Sequence, residues 1–385
     1  MAHQFVVVGA GIAGLATAAA LQRRDHAVAV IEEREDTSPG AGISIWPNAL
    51  AALDRLGLGD AVRAAGGQVS AGALRWHDGT WLRRPSHDRI VTALGEALVV
   101  VQRAALRDIL LGALSPGTVR YGTAVTSLVQ DGNAVRVSLA DGSAVSADAV
   151  VGADGTRSVV ARHLNGALPN RYAGYTAWRG VAEHALDPTL ASEGFAPGVE
   201  VGYVPLGPDR TYWFATERLP EGHRSPGGEL AYLQSRLARW AEPLPTILAS
   251  TDAGQVLRND LYDRATAPRW ARGPVVIVGD AAHPMRPHLG QGGCQGIEDA
   301  AILAELVEHG PDLTTAFTRF ATFRRRRVRA MVRQSKTIGR VVNLRPAVLS
   351  SAALHASMVI PESVIAHHLG GLASRSAFVL PHRQA

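Results

Sequence analysis

The chain opens on a short apolar run, Phe5 to Val8, which runs into Gly9-Ala10-Gly11-Ile12-Ala13-Gly14 and an Ala- and Leu-rich stretch reaching Arg23. A second apolar run follows at Ala27 to Ile31. Short apolar runs bounded by glycine fit buried parallel strands, and the longer Ala/Leu stretch fits a buried helix, so residues 5–31 predict a strand–helix–strand unit. Pro47 suits a first helical turn and predicts a helix to Leu56. Asp78-Gly79 centres a hairpin over 71–84, Val99 to Val101 reads as a strand, and Ala104 to Leu114 as a helix. Alternation as in Val135-Arg136-Val137-Ser138-Leu139, with turn dipeptides Asp131-Gly132 and Asp141-Gly142, predicts an antiparallel meander across 118–152.

From about Arg171 the texture changes. Strand-like pieces at Tyr172 to Val181, Val199 to Pro205 and Thr211 to Thr216 carry much of the Tyr and Trp. Val275 to Val278 returns to a buried parallel-type strand, followed by a Gly-rich loop at 290–293 and two helices over 294–309 and 312–342. The pattern predicts an α/β protein. A Rossmann-like unit made of residues 1–170 and 265–340 is interrupted by a β-rich unit at 171–264 and followed by a C-terminal helical extension at 341–385.

Composition narrows the class. Hydrophobic residues at 46% and charged residues at 19% exclude a disordered chain or a charged coiled coil. Cys294 is the single cysteine, so neither an intrachain disulfide nor a Cys-based zinc site can form, which suits a reducing cytoplasm. Lys336 is the single lysine, so the net charge of +5 comes from an arginine-rich chain. The densest cluster, Arg324 to Arg327 with Arg329, reads as the solvated face of a helix rather than a nucleic-acid patch. Phe5 to Gln22 is uncharged but interrupted by glycines, and Pro346 to Pro361 is short and Pro-bounded, so no membrane span is expected. No metal cluster stands out, and a monomer or homodimer is expected.

Three constellations carry chemistry. In the first, the glycine fingerprint sits between strand and helix, with Glu32, then Glu33 and Arg34, just past the second strand. The glycines let the backbone approach a pyrophosphate at the helix N-terminus, and Glu32 can accept hydrogen bonds from ribose hydroxyls. The second is Val150-Val151-Gly152-Ala153-Asp154-Gly155-Thr156-Arg157-Ser158. The third is Val278-Gly279-Asp280-Ala281-Ala282-His283-Pro284, continuing through Pro287, His288, Gly290, Gln291, Gly292, Gly293 and Cys294 to Glu298-Asp299-Ala300. A strand-end carboxylate such as Asp280 suits a hydroxyl-rich ribityl chain. A Gly-rich helix N-terminus suits a ring that carries negative charge when reduced.

Together with Gly40-Ala41-Gly42-Ile43-Ser44-Ile45-Trp46-Pro47-Asn48, Val101-Gln102-Arg103 and Tyr172-Ala173-Gly174-Tyr175-Thr176-Ala177-Trp178-Arg179-Gly180, these segments make the chain resemble the FAD-dependent aromatic hydroxylases. These have the para-hydroxybenzoate hydroxylase fold, and the chain resembles their shorter members, which are similar to salicylate hydroxylase, FAD-dependent urate hydroxylase and zeaxanthin epoxidase. The resemblance covers residues 1 to about 335. It implies FAD contacts from Gly9, Gly11, Ala13, Gly14, Glu32, Glu33, Arg34, Ser44, Arg103, Val125, Asp154, Asp280, Pro287 and Gly290 to Cys294. It also implies that NADH or NADPH reduces the FAD, that O2 adds at the flavin C4a carbon, and that the resulting hydroperoxide oxygenates an electron-rich ring or alkene. Tyr212 and His288 are the candidate catalytic side chains. Tyr175, Arg179, Tyr203, Tyr212, Trp213 and His288 are the candidates to meet a small aromatic substrate. His288 departs from the small polar residue many relatives carry there, and His283 reads as structural.

Rival readings differ in what the protein needs. A flavin halogenase would need a pocket lysine and a Trp-x-Trp-x-Ile-Pro segment, and the chain has neither. A flavin reductase or oxidase of the same fold would consume NAD(P)H without oxygenating a product. A regulatory flavin module would bind without turnover, and a non-flavin dehydrogenase would leave the second and third constellations unexplained.

Overall fold

The computed structural model describes residues 2–35, 42–69, 72–84, 86–131 and 134–381, so Gly40, Ala41 and Gly132 lie outside the described residues. The predicted strand–helix–strand unit forms the centre of a six-stranded sheet. Gln4–Val8 lies parallel between Ala27–Ile31 and Ala149–Gly152, with Val119–Arg120 beyond one neighbour and Val275–Ile277 beyond the other. Ala271–Arg272 closes one edge antiparallel. Both faces of a parallel sheet are normally covered, which is why Val6, Val7, Val150, Val151 and Val276 are all buried.

The helix Ile12–Gln22 leaves the first strand through a turn that only glycine can make. Gly9 has φ +100°, and a Cβ on Gly14 would lie 1.9 Å from the Gly9 carbonyl oxygen. The helix Gly292–His309 packs against it. The meander is smaller than predicted. Val125–Asp131, Ala134–Leu139 and Ala144–Ala147 form a three-stranded antiparallel sheet, while the flanking pieces 119–120 and 149–152 join the parallel sheet instead.

The aromatic-rich interval builds a seven-stranded sheet in the order Leu257–Asp263, Arg171–Ala182, Thr211–Glu217, Val199–Pro205, Ser192–Ala196, Ala73–Trp76, Trp81–Arg83. The last two strands are the predicted hairpin, and Ala73–Trp76 joins through a parallel pairing with Ser192–Ala196. Strand alternation gives this sheet two unlike faces. One carries Trp178, Tyr203, Trp213 and Ala215 into a core closed by the helices Glu229–Arg236 and Leu244–Ala249. The other carries Tyr175, Arg179, Glu193, Glu200, Tyr212 and Phe214 toward the parallel-sheet unit.

The 30-residue helix Leu313–Val342 crosses both units, and the helices Ala347–Ala356 and Glu362–Ala373 follow it. Its arginines are not uniformly solvated. Arg324 is fully buried and Arg327 half-buried, whereas Arg326 and Arg329 are exposed. The buried stripe Phe317, Phe320, Arg324, Val328, Met331 and Ser335 has helical spacing, and Arg324 belongs to it. Among the described residues no single helix is long and apolar enough to cross a membrane.

Candidate active site

A row of open positions runs through otherwise buried elements. Gly11, at the start of the first helix, has nothing within 4 Å of where a Cβ would stand. Arg103, Asp280, Pro287 and Gly290 are likewise open, although their neighbours Val101, Gly279 and Gln291 are buried. Asp280 and Arg103 lie deep in the molecule yet face space, as residues on the floor of a cleft do. Burial pushes the Asp280 carboxyl up, against the pull of His283, Arg103 and Arg264. The same burial pushes the Arg103 guanidinium down, with Asp280 opposing.

The fingerprint and its acid are already connected. Glu32 accepts from the Ala10 N–H at 2.7 Å through one oxygen and from the Arg34 N–H at 3.1 Å through the other. Each oxygen keeps a second lone pair for a ribose hydroxyl. Glu33 and Arg34 are exposed beside it. Val125 is a core residue at the start of its strand, so only its backbone can reach the cleft. Asp154 spends its carboxylate on the helix Val159–Asn165, accepting from the Val159 N–H at 2.7 Å and from the Ser158 hydroxyl. Its backbone packs on Gly9, where a Cβ would come within 3.0 Å of the Asp154 Cα.

The loop after Asp280 is held from below. Gln291 is buried, its side chain bonded to Asn48 and Gln295, so it can offer only backbone to the cleft. Cys294 is also buried, and its thiol donates to the Ser44 carbonyl at 3.4 Å rather than facing outward. Burial pushes this thiol up to about 12. At pH 8 it therefore stays protonated, and a thiol–disulfide reagent is expected to label Cys294 only when the protein unfolds. Rapid labelling of the native protein would contradict this packing. Gly290 and Gly293 lie against Trp46 and Ile43 of the segment that also holds Ser44.

Behind the loop lies a sealed ionic network. Arg324 donates to Asp299 at 2.7 Å, to Glu298 at 2.6 Å and to the Gln295 side chain at 2.7 Å. Asp299 in turn accepts from the Gly279 N–H at 2.8 Å and from His283 Nε2 at 2.6 Å. Arg324 thus braces the Gly279-Asp280 turn at second hand, and His283 faces this network, not the cleft.

Of the side chains predicted to meet substrate, Tyr175, Arg179 and Tyr212 share the face turned to the cleft, and Tyr203 and Trp213 do not. Trp213 is fully buried and donates to Thr251 at 2.9 Å, and Tyr203 accepts from Arg75 at 3.1 Å, both on the far face. Neighbours in a strand point to opposite sides, so Tyr212 and Trp213 cannot both line one pocket. Tyr212 packs over Gly42, where a Cβ would lie 2.6 Å from its ring. Burial holds its phenol above the usual range although Arg179 and Arg103 pull it down.

His288 is sequestered: Nδ1 meets Glu200 Oε2 at 2.7 Å and Nε2 meets the Tyr175 hydroxyl at 2.9 Å. With the imidazole neutral, Nδ1–H donates to Glu200 and Nε2 accepts from Tyr175. A Cβ on Gly339 of the long helix would strike its Nε2 at 2.4 Å. Sequence reasoning missed Glu200 and, beside it, Glu193, because a lone glutamate in an alternating strand carries no motif.

The cleft fits a dinucleotide with a ring attached. It has a glycine-floored helix start, an acid at its ribose end, and an enclosed carboxyl and guanidinium midway. Trp46 Nε1 adds a buried donor without a partner among the described residues, beside Gly290. Residues 3–335 match the FAD binding domain family, and the chain belongs to it. It is similar to aurachin C monooxygenase/isomerase of Stigmatella aurantiaca, 34% identical over 339 residues covering 87% of this chain and 88% of that one. It is also similar to 3-amino-4-hydroxybenzoate 2-monooxygenase of Streptomyces cremeus, 35% identical over 317 residues covering 80% and 79%. Klebsiella pneumoniae HpxO complexed with FAD and uric acid superimposes with a TM-score of 0.90 over 96% of each chain at 28% identity. The class is that of the FAD-dependent monooxygenases, and the resemblance read from the motifs is borne out.

Proposed function

We propose that the protein uses NADH or NADPH and O2 to insert one oxygen atom into an aromatic or otherwise electron-rich small molecule. The substrate would lie between the 287–293 loop and the sheet face bearing Tyr175, Arg179 and Tyr212. The observation that carries this reading is the row of open positions, with Arg103 and Asp280 enclosed midway, that ends at that face. Bound FAD supplies the redox chemistry, taking electrons from the nicotinamide and activating O2. Gly11, Glu32, Ser44, Arg103, Asp280 and the backbone of 290–293 would hold it, Gly11 and its helix at the pyrophosphate and Asp280 at the ribityl hydroxyls.

The chain's own residues have three tasks in this reading. Tyr212, with Arg179 beside it, orients a polar substituent and steadies negative charge developing on the ring. Phe214, stacked over Gly202, and Val181 and Val204 keep water from the reacting face. His288, gripped by Glu200 and Tyr175, acts as a positioning residue that fixes the loop against the sheet. We further propose that the cofactor unit comprises 1–170 and 265–340, that the substrate unit is 171–264 joined by the hairpin strands 73–83, and that 341–385 is a helical extension. A cytoplasmic monomer or homodimer fits this reading.

Incubation with 18O2, NADH or NADPH and a panel of electron-rich aromatics is expected to yield a product heavier by one 18O atom, with one NAD(P)H consumed per product. A flavin reductase or oxidase would instead release hydrogen peroxide and leave every aromatic unlabelled.

A further inference from the structure

Glu193 stands on the strand Ser192–Ala196 opposite Gly202, two residues from Phe195, which stands opposite Glu200. Alternation sends Glu193, Phe195, Glu200 and Gly202 to one face, the face that reaches the 287–289 turn through the Glu200–His288 contact. Glu193 is enclosed by protein yet partly open to space, and its carboxyl makes no hydrogen bond or ion pair among the described residues. A carboxyl in such a place, with neither oxygen bonded to the protein, is available to a ligand. The groups around it are already taken. Glu200 on the adjacent strand is bound to His288, His288 to Tyr175, and Arg286, stacked on the Tyr175 ring, is paired with Asp263.

Burial and the neighbouring Glu200 push the Glu193 carboxyl up to about 8. Below that pH it is a neutral acid that presents one O–H donor beside one C=O acceptor. The complementary surface is an –NH–C(=O)– edge, whose N–H and carbonyl meet the acid through two parallel hydrogen bonds. A carboxylate or phenolate there would instead meet the Glu200 charge.

We propose that Glu193 is a specificity-determining residue that reads the lactam edge of a heteroaromatic substrate. The proposal rests on the function above only for its claim that substrate occupies this face. It is tested without turnover, so the two can fail separately.

The test is titration of the oxidised FAD-loaded enzyme with 2-quinolone and with 1-methyl-2-quinolone, read from the flavin absorbance shift. The N-methyl compound lacks the N–H and is expected to bind about tenfold or more weakly at pH 6.5. The 2-quinolone affinity is expected to fall about tenfold between pH 6.5 and 9.5 as Glu193 ionises. Glu193→Gln keeps a donor beside an acceptor, so it should still prefer 2-quinolone but without the pH dependence. Glu193→Leu should lose the preference at every pH. Discrimination below about threefold in the wild-type protein, no binding of 2-quinolone, tighter binding of salicylate, or an undiminished preference in Glu193→Leu would each overturn the assignment. The wild-type titrations decide it even if a variant is unstable.

Discussion

Arg324→Met is expected to destabilise the protein by about 3–5 kcal/mol, because removing one partner of a sealed ion network strands the others. The Arg324 guanidinium reaches Glu298, Asp299 and Gln295, all of them fully buried. Burial alone would raise both carboxyls. Arg324 with Arg327 for Glu298, and His283 with Arg324 for Asp299, outweigh it and hold both below the usual range. A depressed carboxylate contributes stability above its unfolded pKa, near 4, and loses it as the pH falls through its folded value. In the variant Arg327 and His283 remain but the Arg324 pull is gone while burial stays, so the folded carboxyls move up and take up protons at higher pH than in the wild type. The deficit against wild type should therefore be largest near pH 7–8 and narrow as the pH falls toward 5. Thermal unfolding at two pH values checks this, with a midpoint lowered by roughly 4–6 °C at the higher one. An equal deficit at both would mean that packing, not charge, is what Arg324 supplies.

Asp280→Ala is expected to weaken FAD binding markedly while leaving the protein folded. The side chain lies enclosed on the cleft floor with Arg103 and Arg264 near it, and it makes no hydrogen bond among the described residues. Truncating it therefore removes a ligand contact rather than an internal one. A charge-assisted hydrogen bond to a hydroxyl contributes roughly 1.5–3 kcal/mol, so FAD affinity should fall about 10- to 100-fold. Titration of the apoprotein with FAD, followed by flavin fluorescence, measures it directly. Unchanged affinity would remove Asp280 from the cofactor site, and a lowered unfolding midpoint in the apoprotein would give it a structural role instead.

What could be read from the chain depended on whether a residue's neighbours were local. Gly9, Gly14 and Glu32 are legible because a strand, a tight turn and a helix follow one another within some 30 residues, so spacing alone brings them together. The strands of the aromatic-rich interval were legible from alternation, but alternation does not say which face meets the cleft. It does forbid Tyr212 and Trp213 from lining one pocket, since adjacent strand residues point to opposite faces. Arg324 was similarly within reach, since it falls on the stripe begun by Phe317 and Phe320. Its run of neighbouring arginines suggested solvent more strongly than the helical period suggested burial. Glu193 and Glu200 were not legible, because their significance comes from register across two strands and from a turn 88 residues beyond Glu200.

The parallel pairing of Ala73–Trp76 with Ser192–Ala196 limits how the protein can be recombined with its relatives. Exchanging 171–264 alone would transplant five of the seven strands and leave a resident hairpin facing a foreign edge. Its cross-strand side chains would then meet partners they were not matched to. A chimaera that carries 73–83 together with 171–264 keeps that seam native on both sides, so productive shuffling of substrate preference in this scaffold calls for two coordinated crossover blocks.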